Sequence, residues 1–524
     1  MTRKAQREVS QSDDAGRRKN RRGRGSPQER AAARPAPPSF RGLRNPYRPV
    51  EVISTDQVEA IHHASLTVLK EIGINVLLPE ARDILAKAGA DVGDDTRVRF
   101  EPGLIESAIA TAPRRITLHA RNPACTSEIG GDRVTVATVG GPPNVSDLDR
   151  GRRSGSLDAF EDFMRLTQAF DVIHVIGMPV EPMDIPIPFR HLETTFAGLT
   201  LTEKAPFIYS RGVDALNDAI EMVRIANGVS RDEMDSKPHC YTVVNANSPL
   251  QLDRPMSEGI ITMARRGQAM VLTPFTLAGA MAPITVAGAL TQQNAEALAG
   301  IALSQLVRPG APVIYGGFTS NVDMKTGAPA FGTPEYTQAA MASGQLARRY
   351  GLPFRSSNTT ASNAPDAQAA YESEMSLWGA LMGGCNLLLH GAGWLEGGLT
   401  ASLEKFIIDV EMLQMMAAFF RPFPVDDASL ALEAMREVGP GGHYFGAAHT
   451  LARYESAFYS PLLSDWRNFE TWQDSGSVDA TRRANAIWKS TLADSQTPPM
   501  DPAVREELEA FVARRKTEGG ANID

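Results

Sequence analysis

The chain has 524 residues, of which 43% are hydrophobic, and a formal net charge of −8 at pH 7. This length allows one large barrel with additions at both ends, and the negative charge gives no general case for nucleic-acid binding. The three cysteines, Cys125, Cys240 and Cys385, are far apart, which argues against a disulfide scaffold and for a reducing compartment. No apolar run is long enough to span a bilayer, and no secretory hydrophobic segment follows the basic N-terminus. We therefore expect a soluble, cytoplasmic protein.

The first part of the chain divides into a basic tail and a small helical region. Residues 1–45 are rich in Arg, Lys, Ser, Gly and Pro and lack apolar periodicity, so we expect a disordered tail. Residues 46–132 should form a helical region with short strands, and Thr55 has the chemistry of an N-cap for its first helix. The predicted helices of this region are residues 57–72, 79–87 and 102–112.

From residue 133 to about 425, short apolar runs alternate with helical patterns. The predicted strands are residues 134–138, 172–176, 207–210, 240–244, 270–274, 313–316, 354–357 and 387–390. The predicted helices are residues 157–170, 189–202, 215–226, 255–266, 292–306, 334–350, 367–382 and 402–420. Eight strands, each followed by a helix, predict an α/β fold of the (β/α)8 TIM-barrel type, with a doubly wound open sheet as the alternative.

The C-terminal part of the chain has a different pattern. Residues 426–524 are helical in pattern, with aromatic and glycine-rich interruptions, and end in a charged amphipathic helix at about 502–515. We expect this part to form a helical cap that packs on the barrel.

The chemistry of such a barrel lies on the loops that follow its strands. His390 stands where an apolar run gives way to a glycine-rich loop, which makes it the first catalytic candidate. The amides of Asn144 and Asn247 lie on similar loops and are candidates for substrate binding. Glu372 and Glu374 cannot face the same way on one helix, and we take Glu372 as the second catalytic candidate. The loops lack the spaced His, Asp and Glu cluster of a hydrolytic metal site, so no metal is expected.

Four aromatic residues also fall on these predicted loops, namely Phe275, Tyr315, Phe318 and Trp394. Aromatic faces suit a quaternary ammonium cation, which is attracted to π-electrons but has no N–H to donate. As a group these residues predict a substrate pocket for such a cation. For each one taken alone, the alternative is packing against the terminal regions.

Several longer blocks of sequence resemble the trimethylamine methyltransferase superfamily. The blocks are Asn247-Ser-Pro-Leu, Pro283-Ile-Thr-Val-Ala-Gly288, Ala295-Glu-Ala-Leu-Ala-Gly300, Pro365-Asp-Ala-Gln368, His390-Gly-Ala-Gly-Trp-Leu-Glu-Gly-Gly398 and Ser464-Asp-Trp-Arg-Asn468. The similarity runs from about residue 44 to residue 515. It implies a TIM barrel that transfers a methyl group from an amine to the Co(I) corrinoid of a separate small protein, and no cofactor bound tightly by this chain.

The chain differs from the archaeal trimethylamine enzymes of that family, which carry pyrrolysine in the barrel. The matching region, residues 356–364, holds only Ser, Asn, Thr and Ala here. The sequence is similar to the non-pyrrolysine branch, whose characterised members demethylate quaternary amines such as glycine betaine. The resemblance therefore implies a betaine-type substrate. From its place between an apolar run and a glycine-rich loop, we expect His390 to bond the carboxylate of that substrate or to position a neighbouring group.

Two alternatives stay open from the sequence. One is an enzyme that hands the methyl group directly to a folate acceptor. The other is a barrel that binds a betaine for sensing or storage without catalysis. The expected partners are the small-molecule quaternary amine and the corrinoid protein, with no nucleic acid and no membrane, and we expect a homo-oligomer.

Overall fold

A six-stranded parallel sheet runs through the centre of the chain. A computed structural model describes residues 39–93 and 95–521. The strands are β1 Ile74–Val76, β2 Asp91–Val92, β3 Arg97–Arg99, β4 Ile116–Leu118, β5 Ser127–Ile129, β6 Thr135–Val136, β7 Asn144–Asp147, β8 Gly151–Ser154, β9 Tyr241–Val244, β10 Gln251–Leu252, β11 Ala269–Leu272, β12 Phe275–Ala278, β13 Val313–Gly316, β14 Phe318–Val322, β15 Pro329–Ala330, β16 Phe354–Ser357, β17 Leu387–Leu389, β18 Trp394–Leu395 and β19 Thr400–Ser402. The central sheet has the order β6-β17-β16-β13-β11-β9, and every neighbouring pair is parallel.

Helices alternate with these strands and cover one face of the sheet. They are α1 Thr55–Thr67, α2 Pro79–Lys87, α3 Pro102–Ile109, α4 Leu157–Ala169, α5 Ile187–Leu201, α6 Val213–Asn227, α7 Arg231–Ser236, α8 Arg254–Arg265, α9 Val286–Val307, α10 Pro334–Tyr350, α11 Ala367–Met382, α12 Leu403–Phe419, α13 Asp427–Leu430, α14 Leu432–Val438, α15 Ala448–Leu451, α16 Phe469–Asp474, α17 Ala480–Ala493 and α18 Pro502–Thr517. Side-chain N-caps begin many of them, because a Ser, Thr or Asp oxygen accepts an otherwise unpaired backbone N–H there. No helix of the described ranges is both long and apolar enough to cross a bilayer.

Both edges of the central sheet continue into short hydrogen-bonded segments. Ala137, just after β6, forms a parallel bridge with Val175, and Phe207 forms one with Tyr241 of β9. The amide that follows Val175 donates to the carbonyl of Ala205 at 3.0 Å, which joins the two segments to each other. The predicted strands at 172–176 and 207–210 are thus bridged segments rather than regular strands. A proline at position 206 has no N–H for the ladder, which limits the second segment.

The other six predicted strands of the alternating part agree with the structure to within two residues, and most of its helices do so too. The main difference is α9, which begins at Val286 rather than at residue 292. The cause is an N-cap that the sequence pattern missed, since Thr285 Oγ1 accepts the amide of Gly288 at 3.2 Å. The chain is therefore a mixed α/β protein built on a curled parallel sheet.

The face of the sheet away from the helices has its own apolar core, which we call the inner face. Val271, Ile314 and Leu387 point there, because successive residues of a strand face opposite sides. The hairpin of β4 and β5 packs against these residues. This hairpin lies at the amino end of the strands, since the backbone amide of His119 donates to the carbonyl of Pro238, just before β9, at 2.8 Å. The inner face is consequently closed at that end.

The N-terminal region packs on the outer helices. Ser54, and not Thr55, is the N-cap of α1, because Ser54 and Gln57 bond each other's backbone amides in a capping box. The α-helix continues as a π-helix over Val68–Ile72 and stops at Gly73, whose φ is +80°. Strands β10, β1, β3 and β2 form a small sheet beside it.

The two ends of the chain need separate description. Residues 1–38 of the expected basic tail lie outside the described residues, whereas its last part packs closely, with Asn45 Nδ2 donating to the carbonyl of Leu381 at 2.9 Å. At the other end, α17 packs on α12 and α4, and α18 packs on α6 and α5. Residues 423–458, which we call the arm, do not join this packing, because their large apolar side chains are exposed. The expected C-terminal cap therefore excludes the arm.

Candidate active site

Three strands of the central sheet break at their carboxyl ends and resume in smaller sheets. Two residues separate β11 from β12, Gly317 separates β13 from β14, and residues 390–393 separate β17 from β18. The continuing strands belong to the sheets β12-β14-β15 and β18-β19-β7-β8. The breaks bring loops from three strands together at the end where parallel α/β folds hold their chemistry.

His390 lies at one of these breaks. Its backbone is left-handed, with φ of +57°, a conformation that costs free energy unless the surroundings fix it. Its ring lies 4.3 Å from the Trp394 ring and 5.6 Å from the Phe318 ring, and Nδ1 has no hydrogen-bond partner among the described residues. Burial, and then the charge of Arg355, hold the pKa of His390 well below its usual value. The imidazole is therefore neutral at physiological pH.

Aromatic rings gather around Phe318. The distances from its ring centroid are 5.0 Å to Phe275, 5.7 Å to Phe331, 6.2 Å to Trp394 and 6.4 Å to Tyr336. Three of the four predicted aromatic residues are thus brought together beside the histidine. Phe331, just after β15, and Tyr336, in the first turn of α10, join them, and the sequence pattern singled out neither residue.

A buried arginine completes the group. Arg355 of β16 is 1% exposed, with its guanidinium carbon 4.9 Å from the centroid of the Phe318 ring. Nη1 donates to Thr273 Oγ1 at 3.0 Å, while Nε has no acceptor and no Asp or Glu of the described residues forms an ion pair with the side chain. Burial lowers the pKa of Arg355 to about 10, so it stays cationic at neutral pH. A buried cation without an anion is costly, which makes Arg355 a candidate for binding an anionic group of a ligand.

Two buried charges on α12 fix the loop after His390. Asp409 accepts the amide of Gly393 at 2.8 Å and the side-chain amide of Asn358 at 3.0 Å, and it pairs with Lys405 one turn earlier. Asn358 also donates to a carbonyl of the same loop at 3.0 Å. Asp409, Asn358 and Lys405 are fully buried, so the shape of the loop depends on this network rather than on the solvent.

Glu372, the second predicted catalytic residue, holds a neighbouring loop instead of facing the ring cluster. Its Oε2 accepts the amides of Ala361 at 2.9 Å and Ser362 at 3.1 Å and also the hydroxyl of Thr360. The carbonyl of Thr360 in turn accepts Nε1 of Trp394 at 2.9 Å. The geometry therefore gives Glu372 a positioning contact, exerted on the Trp394 ring through the loop, and its catalytic role stays a prediction.

Tyr315 is not part of the cluster, contrary to the expectation for substrate binding. It is fully buried between the sheet and the helices, where its hydroxyl donates to Asn294 Oδ1 at 2.9 Å. The reason is the alternation of the strand, because its neighbour Ile314 faces inward and Tyr315 must then face outward. Burial raises the pKa of the Tyr315 phenol well above its usual value.

The side chains of Asn144 and Asn247 both form local hydrogen bonds. Asn144 belongs to β7, and its side chain donates to the carbonyl of Leu399 at 2.9 Å. Asn247 is exposed, and its side chain donates to the carboxylate of Asp253, the N-cap of α8, at 3.0 Å. Both amides serve local structure in these positions, and their expected role in substrate binding stays a prediction.

The residues that the sequence pattern missed left some signal. Arg355 is a charged residue within a short strand of the central sheet, where both faces are buried and residues are usually apolar. Lys405 and Asp409 are opposite charges four residues apart within an otherwise largely apolar helix. Such charges inside a buried pattern indicate either an internal ion pair, as on α12, or a site that binds a charged ligand.

Known proteins resemble the chain over most of its length. A family model described as trimethylamine methyltransferase (MTTB) matches residues 17–520. A glycine betaine methyltransferase of Desulfitobacterium hafniense strain Y51 is 36% identical over 471 residues, covering 90% of this chain and 98% of that protein. Trimethylamine methyltransferase MttB1 of Methanosarcina mazei is 31% identical, covering 88% and 94% respectively. A crystal structure of the hydroxylamine complex of MtmB aligns with a TM-score of 0.49 at 12% identity and covers 88% of each chain, which is too loose a fit for a detailed comparison.

Proposed function

Because the chain belongs to the trimethylamine methyltransferase family, we propose that it moves a methyl group from a betaine-type quaternary amine to the Co(I) corrinoid of a separate protein. The observation that carries this proposal is a buried guanidinium without a carboxylate partner beside a cluster of aromatic rings. A betaine joins a carboxylate to a permanent cation. Its binding site therefore needs a positively charged group for the carboxylate and aromatic rings for the cation, a short distance apart. The relative named glycine betaine methyltransferase supports the same choice.

The charges of the site fit a zwitterion. The carboxylate would meet Arg355, and the trimethylammonium group would lie against the rings of Phe318 and Trp394, where cation–π attraction replaces hydrogen bonding. The neutral state of His390 matters here, because a charged imidazole next to Trp394 would repel the ammonium group. A cation without a carboxylate would gain the ring contacts but would leave Arg355 unpaired.

Methyl transfer from a quaternary nitrogen requires little acid–base catalysis by the side chains of this protein. The nitrogen already carries a full positive charge and leaves as a neutral amine when its methyl carbon is attacked. The partner's corrinoid supplies the attacking Co(I). The residues of this chain bind the substrate, exclude water and hold the methyl group in line with the acceptor, which is where rate is gained in a displacement of this kind. The fixed loop around His390 and Gly393 would supply that positioning.

Trimethylamine is the alternative substrate, since further relatives bear that name. We propose that it is turned over poorly. The region 356–364, which matches the pyrrolysine region of the archaeal enzymes, holds small polar side chains here, and Asn358 and Thr360 already bond Asp409 and Glu372. The hydroxyl, amide and methyl side chains of this loop offer no electrophilic group that could activate a tertiary amine covalently.

We also infer that the central sheet closes into a (β/α)8 barrel. Its strands β6 and β17, the first and last in sequence, are neighbours. The bridged segments at Val175 and Phe207 lead from β6 round to β9, and the hydrogen bond between them supports a complete ring. Under this inference residues 133–425 are the catalytic barrel, residues 46–132 the N-terminal region and residues 426–524 the C-terminal region.

The protein should have a partner protein, form an assembly and occupy a reducing compartment. We propose a small corrinoid protein as the methyl acceptor and a homo-oligomeric assembly for this chain. Cys125, Cys240 and Cys385 are all free and buried, which suits a reducing compartment such as the cytoplasm.

The test is a side-by-side assay of glycine betaine, carnitine, proline betaine and trimethylamine with free cob(I)alamin as acceptor. We expect one betaine to be the best substrate and trimethylamine to react at a small fraction of its rate. Equal rates for trimethylamine and the best betaine would overturn the substrate class. Methylated folate formed without any corrinoid would select direct transfer to folate, and tight betaine binding without turnover on either acceptor would select a binding protein.

A further inference from the structure

The arm, residues 423–458, presents an unusual amount of apolar surface to solvent. Phe423, Phe445 and Phe458 are 83–86% exposed. Val425, Leu430, Leu432, Met435, Tyr444, Leu451 and Tyr454 are exposed as well. The hydrogen bonds of this described stretch are local and join residues of the arm to one another. The arm is therefore held to the rest of the chain mainly by its covalent ends.

A second exposed apolar surface lies on the helices just before the arm, and we call it the α11–α12 face. Tyr371, Met375 and Trp378 lie on one side of α11, because they are spaced four and three residues apart. Phe419 of α12 joins them, with its ring 5.4 Å from Trp378 and 4.9 Å from Tyr47. All of these side chains are more than one-third exposed.

We propose that the arm of one copy of this chain packs on the α11–α12 face of a second copy, and that the contact is two-fold. The five aromatic side chains of the arm expose roughly 700 Å² together, if each has a surface of about 200 Å² and this is multiplied by its exposed fraction. That is close to the roughly 800 Å² that each partner buries in a stable protein interface. Monomeric proteins rarely leave a contiguous apolar patch of more than a few hundred Å² uncovered.

A second copy of the chain fits better than a different partner. The arm follows directly from α12, and its first exposed aromatic residue, Phe423, is only four residues after Phe419 of the α11–α12 face. A two-fold contact covers both surfaces in both copies at once, because each arm meets the other copy's face. Homodimer interfaces are also more apolar than transient ones, in line with the dominance of Phe, Tyr and Leu here.

The first experiment measures self-association of the purified full chain by sedimentation velocity. We expect an assembly of at least two chains. Phe445→Asp and Tyr371→Asp should each weaken self-association at least about 30-fold, the effect of losing one interface hot spot. Ile72→Asp is the matched control, because Ile72 is 53% exposed but belongs to neither surface, and it should change nothing. A wild-type chain that sediments as a monomer at tens of micromolar would overturn the proposal.

The second experiment identifies what the arm touches. A photo-crosslinking phenylalanine analogue at position 445 is placed in an isotopically heavy chain, which is mixed with an unlabelled chain before irradiation. Crosslinks from the heavy arm to the unlabelled α11–α12 face are expected. Crosslinks confined to one chain, or formed only after a purified corrinoid protein is added, would contradict pairing between copies.

Discussion

The guanidinium of Arg355 lies between Thr273 and the Phe318 ring, away from water and from every described carboxylate. Keeping an unpaired cation in such surroundings costs several kcal/mol. A substrate carboxylate would offset that cost on binding. If the proposed role is correct, this residue reduces the stability of the free protein in return for affinity, as residues of functional sites often do.

Arg355→Met is therefore expected to separate stability from function. The free energy of unfolding should stay equal or rise, because the buried charge is gone and the chain volume is nearly kept. The value of kcat/KM for the best betaine should fall about 10- to 100-fold, the cost of one charge-assisted contact. Turnover of a quaternary cation without a carboxylate, such as choline, should change far less.

The control for that variant is Arg349→Met, which breaks a surface ion pair with Glu59 and should leave the kinetics intact. Denaturant unfolding and steady-state assays with both substrates give the readouts. If Arg355→Met lost activity equally on both substrates, or lost it through unfolding, the carboxylate role would be wrong.

For single residues, the sequence could locate the cluster of rings around His390 but not every side chain near it. His390, Phe318, Phe275 and Trp394 were accessible because strand ends can be read from apolar runs. Tyr315 was misplaced because facing inward or outward depends on the position of a single residue in the strand. Contacts such as that of Arg355 with Phe318 join residues far apart in sequence, and no local pattern specifies them.

Among the elements, α12 has the most direct influence on the site. Asp409 and Lys405 form a buried ion pair, and the same carboxylate holds the amide of Gly393 and the side chain of Asn358. Lys405→Met should lower the free energy of unfolding by about 3–5 kcal/mol, because it leaves Asp409 charged and unpaired. The double variant Lys405→Met with Asp409→Asn should lose less than the sum of the single changes.

Denaturant unfolding of the two single variants and the double variant measures this coupling. The surface pair of Arg505 and Glu509 on α18 has the same spacing, so Glu509→Gln is the matched control and should cost less than about 0.5 kcal/mol. If Lys405→Met lowered the free energy of unfolding by as little as Glu509→Gln does, the buried ion pair would not be what holds the loop.

Most elements of the alternating part could be predicted, because their apolar periods are strong and their ends carry caps. The bridged segments at Val175 and Phe207 could not, since regular pairing there is lost through tertiary geometry and a proline. Most of the arm was expected to pack on the barrel as part of a helical C-terminal cap, because the strand–helix alternation ends before it. Apolar content shows that a segment needs a covering surface, but it does not show whether that surface belongs to the same chain.

For the whole molecule, buried histidines predict how stability depends on pH. Burial lowers the pKa of His174 and of His239 from 6.5 to about 4, and it also holds the pKa of His390 well below its usual value. In the unfolded chain these rings bind protons near pH 6.5, whereas in the folded protein they resist protonation. The contribution of these histidines to the free energy of unfolding should therefore be constant above pH 6.5 and should fall as the pH drops below 6.5.

His174 and His239 should each contribute a slope of up to about 1.4 kcal/mol per pH unit between pH 6.5 and 4. Urea unfolding at pH 7.5, 6.5, 5.75 and 5 would measure it. His239→Asn should reduce the slope by about one ring's share while leaving the other rings in place. A free energy of unfolding that stays flat from pH 6.5 to 5 would contradict the buried neutral state of these rings.

The pairing of β6 with β17 has a consequence for the nascent chain. Thr135 of β6 pairs with Leu387 of β17, 252 residues later (387 − 135). A ribosome adding about 5–20 residues per second needs roughly 13–50 seconds to cover that distance. During this time β6 lacks its neighbour, and the inner face stays open along that edge while the other strands of the sheet are synthesised. We expect the nascent protein to depend on chaperones in this interval, because an unpaired strand beside exposed apolar surface is the usual starting point of aggregation.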